Sequence, residues 1–84
     1  MKFTFPALVK EDKNDPGFVV ISFPDFLGIS SECAIGEEME TAQEILELAL
    51  SGNNYRRTIE PTNPSFLKEK YPNCKVILVT VDVD

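Results

Sequence analysis

Apolar and polar positions alternate from the start of the chain. Across residues 2–9, Phe3, Phe5, Ala7 and Val9 fall on one side, with Lys2, Thr4, Pro6 and Leu8 on the other. Period two marks a half-buried strand. Pro6 has no N–H for a ladder. It therefore places this strand at a sheet edge, or at a position where that nitrogen faces away from a neighbour. Residues 10–17 are charged and end in Asp15-Pro16-Gly17, which is hairpin-loop chemistry. Residues 18–23 are apolar on both faces except at Ser22, which predicts a central strand covered on both sides. Phe23, Pro24, Asp25 and Gly28 then shape a corner, with Asp25 expected to close it through an Asx-type turn. A short third strand over residues 29–34 completes an antiparallel meander, because consecutive strands with short links pair with each other.

The period changes to 3.6 over residues 35–51, which predicts the main helix. Ile35, Met39, Ala42, Ile45, Leu46, Ala49 and Leu50 form its core stripe, and Glu37, Glu40, Glu44 and Glu47 line the opposite side. Gly52 suits the C′ position, but no Ser, Thr, Asp or Asn stands at the expected N-cap. Residues 53–65 are polar and contain Pro61 and Pro64, as a connection would. Residues 64–70 fit a short second helix with Pro64 in its first turn. Residues 75–83 alternate again, with Ile77, Val79, Val81 and Val83 on one face. The helical crossover before this last strand permits parallel pairing with one of the first three. The expected architecture is one α+β domain over residues 1–84, with element order β-β-β-α-β and the three-stranded meander packed on one main helix.

Eighty-four residues leave a small core, so such a chain is marginal alone and oligomerisation is a common remedy. The formal charge of −6 argues against a nucleic-acid surface and suits a basic partner or simple solubility. The residues 3–7 are too short, and too broken by Pro6, for a signal peptide, and no apolar run reaches the length of a membrane span. Two cysteines, Cys33 and Cys74, are too few for a disulfide scaffold and are expected as small buried hydrophobes in a cytoplasmic protein.

Histidine is absent, which removes the commonest general base and the commonest zinc ligand. No glycine-rich phosphate loop is present, and neither cysteine has a histidine to activate it. Carboxylates are the remaining catalytic material. Two of Asp12, Asp15, Asp25, Glu32 and Glu38 would have to meet around a metal for hydrolytic chemistry. Solvated-loop and turn roles explain them more simply, so no enzyme activity, metal or cofactor is expected. The glutamate stripe lacks a lysine or arginine three or four residues away, and like charges at i,i+4 repel by roughly 0.2–0.5 kcal/mol per pair. Its plainer role is a solvated face. Its functional role is to dock a basic protein.

The order of these motifs resembles the amino-terminal domain of HicB-type antitoxins, from HicA/HicB toxin–antitoxin pairs. The features that carry the resemblance are Phe5-Pro6-Ala7 in the first strand, the charged hairpin, Phe23-Pro24-Asp25 with Gly28, and Glu37-Glu38 opening the helix. Pro61 through Pro64-Ser65 and the closing Val79-Thr80-Val81-Asp82-Val83-Asp84 complete it. The match runs in register from about residue 3 to 84. This chain departs from the family pattern at Phe26-Leu27, where the family corner usually has Leu-Pro, and at Cys33-Ala34-Ile35, where Gly-Asp-Thr is usual. The family usually continues into a C-terminal DNA-binding segment about where this sequence stops, so direct DNA binding is not carried over, and the chain is expected to be either a stand-alone domain or a truncated one. The resemblance implies a partial ribonuclease H-like fold without ribonuclease activity, and a homodimer. It also implies binding to a small basic HicA-like mRNA-cleaving toxin. The expected contacts are Asp12, Asp25 and Glu32 first, then Glu40, Glu44 and Glu47. The alternative is a stand-alone interaction module of the same fold with no toxin partner.

Overall fold

The structure, a computed structural model, describes residues 1–26, 29–51 and 60–83. Its elements are β1 (Lys2–Glu11), β2 (Phe18–Ser22), β3 (Ser30–Ala34), α1 (Glu38–Ser51), α2 (Pro64–Lys70) and β4 (Lys75–Asp82). The protein is an α+β chain with one four-stranded sheet in the order β3-β2-β1-β4, every neighbouring pair antiparallel. Among the described residues, no helix is long and apolar enough to cross a membrane. Leu27, Gly28, the expected C′ residue Gly52 and Asp84 lie outside the described residues.

The period-two pattern sets the two faces of the sheet. Phe5, Ala7, Val9, Val19, Ile21, Cys33, Val79 and Val81 are buried on one face and join Ala42, Leu46, Ala49 and Leu50 of α1 in the main core. Pro6 and Leu8, on the other face, are buried outside that cluster, as is Leu67 of α2, which packs on β4. Cys33 is therefore a buried small hydrophobe as expected, while Cys74 is half-buried.

Three expectations change, and the placement of β1 follows the second of the two that Pro6 allows. Strand β1 lies inside the sheet with the Pro6 nitrogen turned from a neighbour, and it, rather than β2, is the strand covered on both faces: Phe5 to Val9 are all buried. Pro6 is tolerated there because Val83 N donates to Met1 O at 2.8 Å, which sets the ladder alternation. By that alternation the Pro6 nitrogen points away from β4, towards the side where β2 has already ended at Ser22. Strand β2, expected to be covered on both faces, keeps Phe18 39% exposed and Val20 half-buried on the face away from α1.

The helix begins at Glu38, three residues later than the stripe suggests. Gly36 adopts φ +101°, a left-handed conformation that favours glycine and breaks the helical run. Ile35 and Met39 consequently fall outside the core, 58% and 43% exposed. The Glu38 carboxylate instead folds back on the segment before the helix, where its Oε1 accepts the Gly36 N–H at 2.8 Å. At α2 the signals hold: Asn63 Oδ1 accepts from Ser65 N at 2.8 Å, and Pro64 occupies the first turn.

Finally, β4 pairs antiparallel to β1 rather than parallel to any strand. One helix would return the chain to the starting end of the sheet and yield a parallel strand. Here α1 descends one face and α2 ascends again, so the two returns cancel. This adds a fourth strand beside the meander.

Candidate functional site

The hairpin between β1 and β2 folds back on itself through its own polar groups. Asp12 N donates to Phe18 O at 3.1 Å, Asp15 N to Asp12 O at 3.2 Å, and Asn14 N to Asp12 Oδ1 at 2.9 Å. This turn brings Asp12 and Asp15 over the face of the sheet opposite α1. Glu32 of β3 points to the same face, because its neighbour Cys33 points into the main core. The three carboxylates lie within 4.8 Å of one another. Glu32 titrates above the ordinary glutamate value of 4.5. The first cause is a hydrogen bond with Asp12, followed by partial loss of solvent and the charges of Asp12 and Asp15. Each cause favours the protonated carboxyl. The cluster has the spacing of a divalent-cation site, but Asp15 and Glu32 are exposed and Asp12 only half-buried, and exposed acidic groups are common without an ion.

Asp25 stands apart from that cluster, at the opposite end of the sheet. Backbone bonds close the corner there: Phe26 N donates to Phe23 O at 3.0 Å and Ile29 N to Phe26 O at 3.2 Å. The expected role of Asp25 as a local turn former gives way to a long-range one. Its Oδ2 accepts the Thr62 N–H at 3.0 Å and its Oδ1 accepts the Thr62 hydroxyl. Thr62 lies where the chain passes from the α1 face to the α2 face, so Asp25 pins that crossing to the corner. Each carboxylate oxygen accepts one bond from Thr62, which gives Asp25 a structural role within the chain. Asp25→Ala should cost about 1.5–3 kcal/mol in urea denaturation, the scale of hydrogen bonds to a charged group. Loss of stability below about 0.5 kcal/mol would show that the pin is dispensable.

Glu40, Glu44 and Glu47 are exposed on α1, as the helical wheel requires. Glu44 and Glu47 also line a groove with Leu48, Ser51, Asp82 and Val83, a cavity of about 500 Å³. Glu40 does not line it. Thus the six expected contact residues divide into Asp12 with Glu32 at the hairpin end, the helix stripe, and Asp25 at the corner. Sequence reasoning named Asp15 beside Asp12 and Glu32 only among acids that could meet at a metal, not among the contact residues; the turn geometry joins it to them, and that Asp82 borders the groove was missed. Asp82 was foreshadowed only by its place near the end of an alternating strand.

A second cleft of about 510 Å³ opens at the hairpin end of the α1 face, with Val9, Val19 and Ile35 beside Lys13, Lys75, Glu11 and Glu38. With Lys10 also in its lining, three lysines stand against two glutamates, so the cleft leans weakly towards anions. Set against family models, curated proteins and solved structures, the chain matches none of them.

Proposed function

We propose that this chain is a HicB-type antitoxin: a non-enzymatic, cytoplasmic protein that binds a small basic HicA-like toxin as a homodimer and covers the toxin's mRNA-cleaving site. On this reading the α+β architecture is a partial ribonuclease H-like fold. The single observation behind the proposal is the Asp12–Asp15–Glu32 cluster. Three carboxylates meet on an outward face, and the one ion pair among the described residues lies elsewhere, between the Met1 ammonium and Asp82. A hydrogen bond with Asp12 holds the Glu32 carboxyl above its ordinary value, and repulsion from the like charges of Asp12 and Asp15 adds to it. A partner lysine or arginine would relieve that repulsion and gain charge-assisted hydrogen bonds. The carboxylates would stand in for the RNA phosphates that a basic nuclease binds, and the charge of −6 would speed encounter.

The test is to look for a short basic product encoded beside this chain and to co-express the two. Growth rescue and co-purification at low salt, with loss of the complex at high salt, are expected because exposed charges are screened. Absence of both rescue and complex would sink the antitoxin reading.

A further inference from the structure

The groove between α1 and β4 is separate from the hairpin cluster and lies at the other end of the sheet. Three carboxylates border it, from Glu44, Glu47 and Asp82, and among the described residues no basic side chain does. Its apolar part is Leu48, 73% exposed, with Val83 half-buried beside it. An apolar strip edged by carboxylates matches one kind of side chain, a long aliphatic stem ending in a cation. A cation is already seated at its rim: the Met1 ammonium lies 2.8 Å from Asp82 Oδ1. Strand addition is disfavoured at this place although β4 is an outer strand. The Gln43 side-chain amide reaches over and donates to Thr80 O at 3.2 Å, so a carbonyl that an added strand would need is already engaged.

We infer that this groove receives an arginine or lysine side chain from a partner protein, its stem against Leu48 and Val83 and its cation among Glu44, Glu47 and Asp82. The inference rests on the partner being basic, but not on the partner being a toxin or on its use of the hairpin cluster. In the free chain the Met1 ammonium competes for Asp82, so partner entry displaces an internal ion pair rather than filling an unopposed site. The exchange makes the state of the N-terminus a determinant of affinity: acetylation removes the competitor.

The experiment is an amide-shift titration of the full chain with acetyl-Leu-Arg-Leu-amide, and with acetyl-Leu-Gln-Leu-amide as the uncharged control. The arginine peptide should give saturable shifts at Glu44, Glu47, Leu48, Asp82 and Val83, and should bind at least about tenfold more tightly than the control. Leu48→Ala and the pair Glu44→Gln with Glu47→Gln, all at exposed positions, should each weaken it. N-acetylation should tighten it about two- to fivefold. Equal binding of both peptides, shifts confined to Asp12, Asp15 and Glu32, or no saturable shifts overturns the groove assignment. Unchanged or weaker binding after acetylation overturns the shared use of Asp82. Because the probe is a tripeptide, these outcomes are independent of whether a toxin partner is found by co-expression.

Discussion

Phe26→Ala should unfold much of the population at 37 °C. Phe26 is 3% exposed although it sits in a corner between strands. Its ring meets Phe5 of β1 edge-on at 4.8 Å and Phe23 at 6.4 Å. Such pairs add about 0.5–1.5 kcal/mol beyond their buried area. Removing a buried phenylalanine typically costs about 3–5 kcal/mol, since the cavity only partly collapses. Total stability for a small domain lies near the lower part of the usual range of about 5–15 kcal/mol. Each kcal/mol moves the midpoint of an 84-residue chain by about 4–8 °C, so the transition should fall by more than about 10 °C or vanish. Phe26→Leu keeps most of the volume and should retain a cooperative transition. A Phe26→Ala midpoint within about 3 °C of the parent, by calorimetry, would show that the corner ring is peripheral.

The position of Phe26 shows what periodicity conveys and what it does not. The alternation in β1 and β4 and the 3.6 period from Ala42 to Leu50 identify the residues that build the core. Those signals are local, and each one repeats several times. A corner has no period, so nothing in the string Pro24-Asp25-Phe26 tells whether the ring turns inward. The start of α1 fails for a similar reason. Ile35 continues the apolar stripe, and only the backbone of Gly36, at φ +101°, shows that the helix has not yet begun. Pairing partners are non-local as well. The direction of β4 depends on α2 returning the chain, and the tolerance of Pro6 inside the sheet depends on where β2 ends. Both needed the three-dimensional path.

The candidate site was legible as composition more than as geometry. The excess of acid names Asp12 and Glu32 as candidate contacts without fixing where they meet. These residues are 20 positions apart in sequence, and their meeting follows from β2–β3 register plus the fold of the hairpin. Asp25, the third member of the expected surface, has a carboxylate of the same chemistry with a different task. Its two oxygens hold Thr62, an acceptor role that no spacing rule predicts across 37 residues.

Glu32→Gln should therefore raise stability and lower partner binding at the same time, a combination that a purely structural carboxylate would not produce. The sign follows from protonation. The folded-state value of Glu32 is raised above 4.5, so the folded chain binds a proton more readily than the unfolded chain. Below 4.5 the group is protonated in both states, and variant and parent should be equally stable with respect to it. As pH rises through the elevated folded value, Glu32 ionises beside Asp12 and Asp15, and the parent loses stability that the variant keeps. At pH 7 the variant should melt at the higher temperature, with the gap closing as the solution is acidified. Binding should move the other way. A basic partner gains from each ionised carboxylate in the cluster, so Glu32→Gln should weaken the complex at pH 7, chiefly by slowing association. The double variant Asp12→Asn with Glu32→Gln should weaken it further and flatten its salt dependence. Melting curves at several pH values and association rates at two salt concentrations test both halves. A variant less stable than the parent at pH 7 would contradict the repulsion among the three carboxylates. A variant that binds the basic partner as fast as the parent, at low salt, would remove this cluster from the interface.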